Sequence, residues 1–243
     1  MNTSNIGNKR NKKGKESLRE LEVSEHFLSL VNACDDLTDL LRQSLPFFLE
    51  FSGCTSGVIN INKNDNPPFT RKENEGSKVS TYIRKAGAKF KRPEKQIYFP
   101  DFVSHFFIHD DSEKSPKPVL FTNDVDETIS QTGDDDNLCE VLSYFKENGY
   151  RSFALIPMKA SQEPPGLIFL GNDKPGWFEN NLLNMLERLG NKLATRINYL
   201  LSLEELRESE KRYRTTLDHM LEGCQIICYD WRYLYVNDAV VKH

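Results

Sequence analysis

No stretch of this 243-residue sequence approaches the ~20 consecutive apolar residues that a membrane-spanning helix requires. The first residues carry charge with no apolar core behind it, which excludes a secretory signal. The five cysteines, Cys34, Cys54, Cys139, Cys224 and Cys228, are odd in number and widely spaced, and no pair has the two-residue gap of a zinc knuckle. They read as reduced thiols of a cytoplasmic protein rather than as a disulfide framework. There is no glycine-rich phosphate loop, no G-x-S-x-G elbow, and no kinase ATP-binding or phosphoacceptor segment. The net charge of -4 gives no general attraction to nucleic acid or anionic membrane.

What is present is enough apolar and aromatic material for a core: 38% hydrophobic residues, 11% of the chain aromatic. The one basic run, Lys9, Arg10, Lys12, Lys13, Lys15 and Arg19, is opposed only by Glu16 and reads as a disordered tail over residues 1–19. From Ser17 to Phe51 apolar residues recur at helical spacing, and Pro46 is expected to bend or interrupt this region, giving at least two helical pieces. Cys54 to Ile61 and Val79 to Arg84 have the β-branched look of strands. Residues 86–118, rich in Lys, Pro, Asp and aromatics, lack a period and read as a binding lid or a disordered insert.

Order returns with a short strand over Pro118–Asn123 and a helix opened by the acids Asp134–Asp136 and closed at Gly149. Two apolar strands, RSFALIPM and GLIFLGN, precede a long helix that starts near Phe178. Adjacent strands flanked by helices predict an α+β fold with an antiparallel sheet. In the long helix Leu186, Leu189, Leu193, Ile197, Leu200 and Leu203 form a stripe close to a 3.5-residue repeat. Its first turns pack on the domain's own sheet, and beyond them the stripe predicts a parallel homodimer through Leu186, Leu189, Leu193, Ile197 and Leu200.

Gly149–Ile197, with a strand ending near a proline, a turn, a Gly-initiated strand and a Phe-capped helix, resembles the C-terminal half of a GAF domain. PVLFTNDVDE and FFLEFSGCTSGVINI resemble other parts of the same family, and the likeness covers residues 20–200. The nearest relatives implied are GAF domains of prokaryotic sensor kinases. After a helical linker, 201–214, residues 215–243 resemble the entry of a PAS domain: a strand at Gln225–Tyr229, a turn at Asp230–Trp231, a second strand, and a helix start at Asn237–Ala239. The chain stops before such a domain would be complete, and the stub is expected to be poorly ordered.

The resemblance implies a sensory or regulatory input module of a two-component type protein, without catalytic residues, binding a small molecule and signalling through a dimeric helix. The Asn-Lys and Asp-Glu signature of cyclic-nucleotide-binding GAF domains is missing: Asn172 is followed by Asp173, and Leu182–Leu183 stand where the acids would be. None of the cysteines has a neighbouring histidine for a bilin, so the cofactor is unknown. His105, His109, Asp110 and Asp111 lie in a charged segment and read as surface, not as a metal site. The expected ligand contacts are Phe121, Asp124 and Ser152, at strand ends facing residues 86–118. An alternative is a small redox enzyme of the methionine sulfoxide reductase kind using Cys54 or Cys139, and another is an inactive, truncated gene product.

Overall fold

Segments with the β-branched and apolar runs noted above fold as the strands of one sheet, and a computed structural model describes residues 3–63, 78–85, 119–131, 136–160 and 166–241. The strands are β1 (Ser56–Lys63), β2 (Lys78–Lys85), β3 (Leu120–Thr122), β4 (Ser152–Met158) and β5 (Gly166–Asn172), in the order β2-β1-β5-β4-β3 with every neighbouring pair antiparallel. β4 and β5 are buried along their whole length, which is why both read as near-continuous apolar runs. Gly166 opens β5 because nothing larger fits: a Cβ there would lie 1.9 Å from the carbonyl oxygen of Asn60 on β1. β3 is short and pairs only with Phe153–Leu155, so beyond Leu155 the outer edge of β4, including Pro157, has no strand partner among the described residues.

The helices cover both faces of this sheet. α1 (Thr3–Ala33) and α2 (Leu37–Ser52) precede it. The break between them falls at Cys34–Asp36, where the Asp36 carboxylate accepts a hydrogen bond from the Asp39 N–H at 2.8 Å and caps α2. Pro46 therefore does not divide the region; it lies inside α2, where burial of Leu45, Phe48 and Leu49 outweighs the single backbone bond a proline removes. Nor does the described part of the tail, residues 3–19, stay outside regular structure: α1 begins at Thr3, and the Lys, Arg and Glu of this run are good helix formers. α2 ends at Gly53, whose φ of 66° is left-handed and whose N–H returns to the Leu49 carbonyl.

Between β3 and β4 lie α3 (Val125–Gln131) and α4 (Asp136–Glu147), the second ending before Gly149 at φ 84°. α5 (Asn180–Asp218) follows β5 as one helix of 39 residues. One face of the sheet, with Gly57, Ile59, Ile156, Ile168 and Leu170, receives α2 and α5: a Cβ on Gly57 would meet Leu45 and Leu49, and one on Gly190 would meet Ile168 and Ile156. Leu186, Leu189, Leu193 and Ile197 of α5 are fully buried there, each contributing roughly 1.5–3 kcal/mol. α1 runs beside α5 in the same direction, tied by Glu20–Arg188, Ser24–Lys192 and the Cys34 carbonyl to Arg196.

The chain divides into two units, Met1–Asn198 and Tyr199–His243. In the second, β6 (Gln225–Ile227) and β7 (Tyr233–Val236) form an antiparallel hairpin, with Trp231 at φ 63° in its turn, and a short α6 (Asp238–Val241) follows. The hairpin is formed, yet Asn237 is the only buried residue described from Leu201 onward. Its side chain accepts from the Cys224 N–H at 2.8 Å and donates to the carbonyls of Leu217 and Glu222, fastening the hairpin to the end of α5.

Candidate functional site

Alternation along a strand sends successive side chains to opposite faces, and the register sorts the other face of the sheet into three rows. The first holds Ser56, Gly171, Phe153 and Thr122; the second Val58, Phe169, Leu155 and Leu120; the third Asn60, Leu167 and Pro157. α4 fills this face over the first two rows. Phe145 stacks on Phe169 with ring centroids 4.7 Å apart and packs on Phe153 at 4.3 Å. Tyr150 crosses Gly171, where any Cβ would strike its ring, and meets Phe169 edge-on at 5.0 Å. Burial pushes the Tyr150 phenol above its ordinary value, opposed by its hydrogen bond with Ser56.

The third row has a different chemistry. Asn60 is 4% exposed, and its Oδ1 accepts no hydrogen bond from any residue described. Its row neighbour Leu167 and its strand neighbour Val58 are both buried and apolar. A buried amide oxygen left unsatisfied costs about 1–3 kcal/mol, so such a group marks a place where a donor belongs. β1 therefore sets one polar acceptor among buried apolar neighbours.

The residues singled out from the sequence are not gathered at this place. Phe121 pairs with Ala154 and Ser152 with Asn172, so both belong to the face opposite the aromatic cluster. Ser152 is fully buried and donates to the Lys174 carbonyl at 2.7 Å, a fastening of the loop after β5. Asp124 caps α3, accepting from the N–H groups of Asp126 and Glu127, and its other oxygen lies 3.3 Å from Arg151. Beside it the Lys146 ammonium, hydrogen-bonded to Asp126, holds that carboxyl below its ordinary value. These are structural duties. Residues 86–118, with His105, His109, Asp110 and Asp111, lie outside the described residues.

The dimer stripe is also corrected. Leu186, Leu189, Leu193 and Ile197 are consumed by their own unit, and Leu200 is 7% exposed, so this row has no surface left to offer a second helix. Cys54 is buried between α2 and β1, and burial pushes its thiol up to about 11, the reverse of an activated nucleophile. Cys139 is on α4. Among the described residues no three His, Cys, Asp or Glu side chains come close enough to hold a metal, and no helix is long and apolar enough to cross a membrane.

No family model matches the chain, and no curated protein matches it. Solved structures do. The chromophore-binding domain of Stigmatella aurantiaca bacteriophytochrome in the Pr state superposes with a TM-score of 0.52 at 14% identity, over 74% of this chain and 60% of that one. The far-red absorbing dark state of JSC1_58120g3, which has bound biliverdin IXa, gives 0.51 at 14% identity over 73% and 98%. A structure described as the GAF domain of a sensor histidine kinase from Pseudomonas syringae pv. tomato gives 0.50 at 10% identity over 82% and 99%. The fold is that of a GAF domain. The chain spans 63% of the chromophore-binding domain of the R. palustris bacteriophytochrome RpBphP3 and 60% of the Stigmatella one. At these identities the likeness speaks for the fold and leaves each neighbour's ligand with that neighbour. Asn60 stands on β1, between β2 and β5 in the order of that sheet. Sequence reasoning passed over Asn60, although an Asn in the middle of the apolar strand GVINI was a visible signal.

Proposed function

We propose that this chain is the sensory input module of a signalling protein of the two-component type, acting by binding a small molecule against the third row of its GAF sheet and without catalysis of its own. The single observation that carries this reading is Asn60: a buried, unpaired amide oxygen over Val58 and Leu167. Such an arrangement selects a largely apolar molecule that presents one N–H or O–H donor. The buried, high-pKa thiol of Cys54 weighs against the redox-enzyme alternative, because at neutral pH it would be almost wholly protonated.

The experiment is mass spectrometry of small molecules that copurify with the full chain and with Asn60→Leu. Leu fills similar volume and removes an unsatisfied polar group, so the variant keeps the fold. The expected result is a molecule present with the parent chain and depleted with N60L at unchanged circular dichroism. If both proteins carry the same molecule in equal amount, or neither carries any, the ligand reading is wrong.

A further inference from the structure

Polar side chains of α5 meet the rest of the first unit in two directions. Glu187 and Asn191, one turn apart, contact Lys159 at the end of β4. Arg188, Lys192 and Arg196, also in steps of one turn, contact α1 and the residue that follows it. Where the two rows adjoin, Lys159, Ala160, Asn191, Lys192 and Thr195 line an open depression of about 490 Å³. That volume is within the range of small-molecule sites. The depression is built mainly from α5, which packs on the face of the sheet opposite Asn60.

The hydrogen bonds around it decide what it can hold. Lys159 has its counter-charge in Glu187 at 2.7 Å, and Arg188 has Glu20 at 3.6 Å. Lys192 reaches no carboxylate among the described residues: its half-buried ammonium donates to the hydroxyl of Ser24, a neutral group that is itself buried. A charge drawn partly out of water is ordinarily paired, so an anion belongs beside Lys192. Asn191 supplies a second donor. Its Oδ1 accepts the Lys159 N–H at 2.9 Å, which sets the amide and leaves Nδ2 without an acceptor among the described residues. Thr195 spends its hydroxyl proton on the Asn191 carbonyl at 3.0 Å. Because Glu187 cancels Lys159, the lining carries the single positive charge of Lys192, which suits a singly charged oxyanion better than a phosphate of nearly two charges. The methyl of Ala160 and the methylene stems of the two lysines offer apolar surface to the body that carries it.

We infer that this depression binds the carboxylate of a small organic acid, held by the Lys192 ammonium and the Asn191 amide. The site is separate from the one at Asn60 and stands or falls without it. The test is a proton–nitrogen NMR titration of the full chain with benzoate and with inorganic phosphate, against sodium chloride at matched ionic strength. Benzoate is expected to shift the Lys159 amide and the Asn191 side-chain NH2 saturably at millimolar concentration, and phosphate to bind more weakly. Asn191→Asp keeps the acceptor for the Lys159 N–H and puts a carboxylate where the donor stood; Lys192→Gln keeps a donor for Ser24 and removes the charge. Each is expected to weaken benzoate about tenfold or more at unchanged circular dichroism, which is the loss of one charge-assisted hydrogen bond. N60L should bind benzoate as the parent does. No saturable shift up to tens of millimolar, equal binding by N191D or K192Q, or loss of binding in N60L overturns the site; phosphate binding as tight as benzoate overturns the class of ligand.

Discussion

Replacing Leu193 by Ala tests the buried face of α5 most directly. Leu193 is fully buried in a single chain, between neighbours Leu189 and Ile197 that are buried too. Truncation removes the transfer energy of its side chain and leaves a cavity, together about 2–5 kcal/mol. In a unit of this size each kcal/mol is worth roughly 2–4 °C of melting temperature. The loss therefore amounts to a fall of about 4–20 °C, most of it from the first unit. Urea unfolding followed by circular dichroism at two protein concentrations tenfold apart measures it. The free-energy loss should be the same at both concentrations, because the contact is within one chain. Leu206→Ala, at a side chain that is 65% exposed, should stay within about 0.5 kcal/mol. A Leu193→Ala chain that unfolds like the parent, but with a weaker self-association, would refute the assignment of this residue to the core.

Three further outcomes follow from the same packing. Burial raises the Cys54 thiol from 9.0 to about 11, so the native state holds its proton where the unfolded chain releases it; this contribution to stability is complete below about pH 9 and is lost as the pH rises through 11, on the order of 2–3 kcal/mol, a slope that Cys54→Ala should flatten in denaturation measured across that range. Gly166→Ala should fail to fold, since its Cβ would sit 1.9 Å from a backbone oxygen of β1 and the central strands cannot part; soluble expression with the parent melting temperature would contradict this. Asn237→Ala removes three hydrogen bonds that hold the hairpin, so proteolysis after residue 220 should accelerate while the melting temperature of the first unit stays fixed; an unchanged cleavage rate would show that the hairpin is held by something else.

Much of the sheet could be read from residues because its central strands are apolar on both faces, as SFALIPM and GLIFLGN are. α3 escaped notice because VDETISQ buries only Val125 and so shows no apolar period; the signal that did exist, the Asp124 cap, was read as a ligand contact. Faces were harder than elements. Phe121 and Ser152 are near strand ends, but a one-residue difference in parity puts a side chain on the other side, and only the register reveals which. The stripe through Leu186 misled because 3.5 and 3.6 residues per turn barely diverge over a few turns.

Pro157 lies where the outer edge of β4 has run past the three residues of β3. Pro157 is itself buried, opposite Leu167 on β5. Proline has no N–H to give a ladder, and it is tolerated in a sheet only where that donor would face no partner. The residue that helps mark the GAF likeness in the sequence thus spares β4 a buried donor to which no described strand offers an acceptor. Threonine or valine there would be a better strand former in isolation, yet would bring that donor back at a cost of about 1–3 kcal/mol if it stayed unpaired.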